Sequence, residues 1–377
     1  MKKYSLTELI KYFLKLGTIG FGGPVALVSY MHRDLVEKRK WITNDDYKEG
    51  LALSQLAPGP LAAQLSIYLG YVDYKIIGTT LVGVAFILPS FLMVVALGFA
   101  YVYYNGLPWM HSMFYGVGAA VIGIITISSY KLTKKTIGKD WLLWVIFFAL
   151  AVTTFITESE NIWLILAAGF IVWLYRSPPS FKNVTQYFFI HPVLLQISAS
   201  LSFNKKLFSI WWFFLKAGAF VFGSGLAIVP FLYGGLVKEN HWLTEQQFLD
   251  AVAVAMITPG PVVITVGFIG YLIAGFPGAC IAAAATFLPC YLFTIIPAPY
   301  FKKYGRRPGI KAFVDGVTTA AVGAIAGAVI VLAKRQFIDI PSVAIAIITV
   351  LILLRFKVQE PLIIIASAIA GLLIKGG

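Results

Sequence analysis

The sequence predicts an all-α polytopic membrane protein made of two inverted-topology repeats, and three observations carry that expectation. Apolar runs of bilayer-spanning length recur along 377 residues, of which 59% are hydrophobic and only 12% charged, against about 25% charged in soluble domains. The stretch SQLAPGPLAAQLSIYLGY at 54–71 returns as MITPGPVVITVGFIGY at 256–271. Equivalent connections in the two halves carry opposite bias in Lys and Arg.

Composition narrows the function classes. A mean hydropathy of +0.84 excludes a soluble enzyme. The net charge of +14 lies mostly in the connections between apolar runs, where it sets orientation and meets anionic lipid rather than nucleic acid. Cys280 and Cys290 fall on one predicted helix, about 15 Å apart, too far to bridge. No H-E-x-x-H, no Ser/His/Asp set and no pair of carboxylates within a span is present, so neither an enzyme, a metal site nor a cofactor is expected.

The elements follow in order. Met1–Gly17 has the charge and apolar pattern of a signal peptide, but it recurs in mid-chain and so belongs to the fold. Leu14–Gly17 (LKLG) returns as Leu215–Gly218 (LKAG), and Phe21–Gly23 (FGG) as Phe222–Ser224 (FGS). The same offset pairs Trp41 with Trp242, Glu49 with Asp250 and Pro58 with Pro259. After a one-residue deletion, Pro89 pairs with Pro289, Pro108 with Pro308 and Gly116 with Gly316. A first helix over about 6–30 and 208–236 is interrupted by glycines, and a hairpin over about 47–72 and 247–273 turns at Pro-Gly-Pro. Four further apolar segments follow in each half, from about 76 to 175 and from about 276 to 375.

Domain organisation follows: a first repeat at 1–175, a linker at 176–206 and a second repeat at 207–377. Basic residues put 32–48, 131–139 and the linker in the cytoplasm, with an interfacial helix expected near 187–200. The loop at 104–111 lacks Lys and Arg, whereas its partner at 300–311 holds five, so the two should face opposite sides. Inversion requires an odd number of crossings per half, giving about ten crossings and two re-entrant hairpins.

These motifs carry a resemblance. F-G-G-P at Phe21–Pro24, M-H-R-D-L-V-E-K-R-K-W at Met31–Trp41, the two P-G-P triplets and F-G-S-G at Phe222–Gly225 resemble the chromate ion transporter family, in its long two-repeat form. The resemblance covers nearly the whole chain. It implies export of chromate, a tetrahedral dianion shaped like sulfate, from a cell that holds the protein in its plasma membrane. Family members often carry an acidic residue after the first triplet, where this chain has Leu61.

The residues argue a site independently. A helix starting at a break presents unpaired N–H groups and the positive end of its dipole. Pro58, Gly59, Pro60 with Leu61 and Ala62, and Pro259, Gly260, Pro261 with Val262, would therefore bind an oxyanion without an arginine in the membrane. Gly22, Gly23, Gly223 and Gly225 would let backbone approach the ligand, and Ser224, Gln64 and Thr265 would complete its shell. Close helix packing and interhelical hydrogen bonds account for the same residues. Lys15 and Lys216, equivalent cations in apolar helices, would suit a dianion at the midplane, or else snorkel to the interface. Glu49 and Asp250 are candidates for proton coupling, although a carboxylate at a helix start is stabilising by itself. A secondary transporter is expected, with a passive anion channel on the same scaffold as the alternative. Oligomeric state is open, a homodimer included.

Overall fold

The structure is a computed structural model that describes residues 4–20, 23–104, 108–157, 162–178, 205–219, 222–223, 228–301, 307–356, 358 and 360–375. The expected interfacial helix near 187–200 and residues 302–306 of the 300–311 loop lie outside these residues. The described chain is an all-α membrane protein whose only strands are a two-residue pair at its centre.

The first half opens with α1 (Leu6–Ile19), started by a capping box in which Ser5 and Glu8 satisfy each other's backbone N–H groups. After α2 (Gly23–Met31) and a π-helical turn (His32–Lys38) comes α3 (Asn44–Leu56), capped by Thr43. Then follow α4 (Leu61–Tyr103), α5 (Pro108–Thr136), α6 (Trp141–Thr157) and α7 (Ile162–Arg176). The second half repeats the order. It has α8 (Lys205–Ala219), α9 (Val229–Tyr233), a second π-helical turn (Gly234–Glu239), and α10 (Glu245–Ile257), capped by Thr244 with Gln247. A short turn (Val262–Ile264) leads into α11 (Thr265–Ile295), then α12 (Pro308–Gln336), α13 (Ile340–Arg355) and α14 (Glu360–Lys375).

The helices α4 and α11 are each two arms. Lys75 adopts φ 52° and ψ −140°, and Gly275 the matching φ 62° and ψ −156°, so the chain reverses at both points. The arms then press together through glycines. A Cβ on Gly70 would lie 2.5 Å from the Gly78 carbonyl oxygen, and one on Gly270 2.4 Å from that of Gly278. The first arm of α4 also runs back along α3, where Tyr68 packs over Gly50. The expected Pro-Gly-Pro hairpin is therefore present, with α3 and the first arm of α4 as its limbs.

The first helix corrects the sequence reading. Instead of continuing across as one interrupted segment, the chain turns back between α1 and α2. The Tyr12 hydroxyl donates to the Tyr30 carbonyl at 3.4 Å, and the Tyr4 and Trp41 rings stack with centroids 5.0 Å apart, so both ends of this segment sit together. In the second half, Phe213 stacks on Phe231 and meets Trp242 edge-on. Each half thus has two consecutive helical hairpins. Neither α1 nor α8 is among the long apolar helices, which are 61–103, 112–131, 262–295 and 308–334. Four shorter apolar helices, 141–157, 163–176, 340–355 and 361–375, accompany them.

The halves interlock by exchange. Helix α12 packs against α6 and α7 of the first half, and α5 packs against α13 and α14 of the second. Small residues permit these crossings: a Cβ on Gly116 would sit 1.9 Å from the Ser367 carbonyl oxygen, and one on Gly316 2.6 Å from that of Ala168. Polar clasps close the two bundles. Arg176 pairs with Asp140 and, at 2.7 Å, with Asp315. At the equivalent place, Lys375 pairs with Asp339 at 3.1 Å, while Tyr115 donates to the same carboxylate from the position matching Asp315. That donation and the neighbouring Ser342 N–H hold Asp339 well below the usual carboxylate range.

Candidate functional site

Each break is a glycine at positive φ between two prolines, +145° at Gly59 and +91° at Gly260, conformations that a Cβ disfavours. Pro60 caps the start of α4 without a side-chain hydrogen bond; because proline has no N–H to give, its pairing with Gly223 uses the Leu61 N–H, and those of Ala62 and Ala63 stand at the open helix start. Pro261 begins the second turn in the same way. There the Ile264 N–H donates to the Pro261 carbonyl at 2.9 Å, so that donor is used internally and Val262 and Val263 stand at the open end.

The breaks are joined across the halves. Gly59 and Pro60 pair in parallel with Phe222 and Gly223, and the Gly260 N–H donates to the Gly20 carbonyl at 3.0 Å. Each Pro-Gly-Pro tip therefore meets the tip of the other half's first hairpin. Ser90, on the second arm of α4, donates to the Gly17 carbonyl at 3.2 Å, and its Oγ would lie 2.0 Å from a Cβ on Gly260. The second break can approach α1 and α4 this closely only because residue 260 is glycine.

The polar side chains near the tips differ in what they leave available. Ser54 donates to the Gly50 carbonyl, Ser66 to Ala63 and Thr258 to Val254, all within their own helices. Thr265 donates to the Ala251 carbonyl at 3.0 Å, which ties the two limbs of its hairpin. Its equivalent Gln64 is 0% exposed and turns its amide back over the helix start, where Nε2 donates to the Pro58 carbonyl at 2.8 Å. Of the expected glycine neighbours, Gly23 begins α2 and Gly223 lies in the strand pair, whereas Gly22, Ser224 and Gly225 fall outside the described residues.

The lysines stand elsewhere. Helix α1 buries Leu9, Tyr12, Phe13, Leu16 and Gly17, which leaves Lys15 on its exposed face with Lys11 and Thr18. Lys216 is exposed too, lining a cleft of about 420 Å³ with Phe208, Trp212, Glu239 and Trp242. The structure thus does not bring this pair of cations to the tips.

Glu49 and Asp250 each receive a tyrosine hydroxyl. Tyr68 donates to Glu49 at 2.8 Å from within its own hairpin. Asp250, fully buried, accepts from Gln246 at 2.8 Å and from Tyr101 of the other half at 2.7 Å. Tyr101 packs on Phe268, and at the matching place Phe301 packs against the cluster of Leu53, Tyr68 and Ala298. The hydroxyl has changed position between the halves while the carboxylate keeps one. Sequence comparison of the repeats finds the carboxylates but misses both tyrosines, and it also misses Gly20 and Ser90.

Two hairpins per half thus meet those of the other half tip to tip. The chromate transporter family matches the chain twice, over residues 7–173 and 208–372. The chain belongs to the chromate transporter family. It is 67% identical over 373 residues to the chromate transport protein of Cupriavidus metallidurans, covering 98% of this chain and 93% of that one. It is 61% identical to the probable chromate transport protein of Synechococcus elongatus, with 98% and 96% covered, and 28% identical to the chromate transport protein of Pseudomonas aeruginosa, with 98% and 92% covered. No solved structure matches it. Membership makes this family member a multi-pass transporter rather than an enzyme.

Proposed function

We propose that the protein is a secondary transporter that exports chromate across the plasma membrane by alternating access at a site formed by the two Pro-Gly-Pro tips. The observation that carries this reading is the exchange of tips, Gly59–Pro60 with Phe222–Gly223 and Gly260 with Gly20. Broken helices in corresponding halves of a transporter direct their N-terminal ends at an anionic substrate, and irregular backbone at membrane depth is tolerated where it is buried or lines a cavity. Ala62, Ala63, Val262 and Val263 would supply N–H donors. Glu49 and Asp250 would couple flux to protons through Tyr68 and Tyr101.

In this reading the two halves, 1–175 and 207–377, are inverted repeats. What supports inversion is the course of α4 against α11. Thr80, early in the second arm of α4, hydrogen bonds Tyr291 near the end of α11, while Gly98 near the end of α4 meets Tyr271 just before the α11 turn. The equivalent arms run antiparallel, as inversion requires. Each half then contributes two hairpins, the second arm of α4 or α11, and three further helices, four candidate crossings in place of the five expected, so inversion rests on these antiparallel arms and not on the crossing count.

Everted vesicles test the activity. Radiolabelled chromate uptake into them should be saturable and should rise with an imposed proton gradient. Linear, gradient-independent flux of large conductance would favour the passive channel instead.

A further inference from the structure

Among the described residues, the buried side-chain nitrogen or oxygen without a hydrogen-bond partner is Gln64 Oε1. The orientation of this amide is fixed by chemistry. A proline carbonyl only accepts, so the nitrogen must face Pro58, and the oxygen is left over. The amide is also pressed against the break, since a Cβ on Gly59 would lie 2.6 Å from both its carbon and its nitrogen. A helical side chain leans toward the N-terminus of its helix, so the unmet oxygen stands at the start of α4, the end that carries the open N–H groups of Ala62 and Ala63. The equivalent Thr265 hydroxyl leaves no such orphan, because it donates to Ala251.

A buried acceptor among donors is wrong for a fully ionised oxyanion and right for one that carries a hydrogen. We propose that the site takes the oxyanion in its singly protonated form, hydrogen chromate, with Gln64 Oε1 accepting the ligand's O–H. The N–H groups of Ala62 and Ala63 take its anionic oxygens. This inference rests on the proposed location of the site at the Pro-Gly-Pro tips.

Charge leads to the same ligand. One helix start carries about half a positive charge, so two together offset about one negative charge. Lys15 and Lys216 add nothing here, standing on exposed faces. The desolvation cost of an ion rises with the square of its charge, which further favours a monoanion. Chromate is a weak second acid and is partly protonated near neutral pH, whereas sulfate stays a dianion. The acceptor therefore selects chromate over an anion of the same shape. Titratable groups on the surrounding elements are Glu49, bonded to Tyr68, Asp250, bonded to Tyr101 and Gln246, and the buried Cys290 thiol on α11. None of them hydrogen bonds Gln64.

The test uses the full chain in proteoliposomes, with micromolar radiolabelled chromate and excess sulfate as competitor, across a range of outside pH. If hydrogen chromate is carried, the KM for total chromate should rise about tenfold per pH unit once the dianion dominates, while the maximal rate stays constant. Sulfate should not inhibit. Gln64→Met, which removes the acceptor and keeps the length, should still carry chromate at low pH but lose the KM slope and become sensitive to sulfate. A wild-type KM independent of pH, with sulfate competing, would overturn the inference and leave Oε1 to a bound water. A maximal rate that titrates while KM stays fixed would overturn it equally, and would point to Glu49 or Asp250. Should Gln64→Met fail to accumulate, the wild-type pH and sulfate series still decides. Saturable transport surviving loss of both breaks would remove the site itself, a failure distinct from either.

Discussion

Pro58→Ala combined with Pro60→Ala reaches the membrane and loses saturable chromate transport, and so does Pro259→Ala combined with Pro261→Ala. Each pair of prolines ends one hairpin limb and starts the next, because proline in a helix interior costs about 3 kcal/mol relative to alanine. Replacing both allows α3 to run on into α4, or α10 into α11. Two features are then lost together. The open N–H groups after Pro60 or Pro261 become ordinary helical donors, and the tip can no longer meet Phe222–Gly223 or Gly20. Transport in vesicles, normalised to inserted protein, is the readout. Gln64→Ala is the contrast: it leaves the backbone donors in place and should retain substantial flux. Normal transport by both proline variants would mean that the breaks only shape the fold and the anion binds elsewhere.

Gly116→Val and Gly371→Val should each prevent stable assembly of the two halves. The collision is with backbone, which cannot rotate away. A Cβ on Gly116 falls 1.9 Å from the Ser367 carbonyl oxygen and 2.8 Å from the Gly371 nitrogen, and one on Gly371 falls 2.2 Å from the Ser112 carbonyl oxygen. Overpacking a core usually costs about 1–3 kcal/mol, and here α5 must separate from α14 along the whole crossing, so the loss should exceed that range. Thermal unfolding in detergent, together with the amount of inserted protein, reports it. Gly138→Ala serves as the control, because nothing lies within 4 Å of a Cβ there and only the φ of +57° resists substitution, at about 1–2 kcal/mol. A Gly116→Val protein that melts with the wild type would show that α5 and α14 do not cross as described.

Much of this arrangement could be read from the sequence, and the exceptions have physical causes. The Pro-Gly-Pro turns were legible because proline imposes a break wherever it stands, and duplication marked the break as deliberate. The reversal between α1 and α2 was not. Glycine permits a turn without requiring one, and only contacts such as Tyr4 on Trp41 show that the chain comes back. The exposed face of α1 was available in Lys11, Lys15 and Thr18 at helical spacing, but the apolar majority of that segment masked it. The pairing of tips is made by backbone hydrogen bonds, so no side chain in the sequence names its partner. Gln64 stood out as a candidate by position, whereas its unmet oxygen depends on where Pro58 places a carbonyl. The partners of Glu49 and Asp250 escaped notice because Tyr68 and Tyr101 are not equivalent positions in the repeat.

The proposed site requires two inverted halves meeting at their tips, and sided labelling measures that most directly. Cysteines are introduced singly, as Tyr104→Cys at the end of α4 and Arg307→Cys at the start of α12, in a background lacking Cys280 and Cys290. An impermeant thiol reagent is then applied to intact cells and to everted vesicles. Inverted halves predict that Tyr104→Cys labels only in intact cells and Arg307→Cys only in everted vesicles. Labelling of both positions from the same side would contradict inversion and dismantle the paired site built upon it.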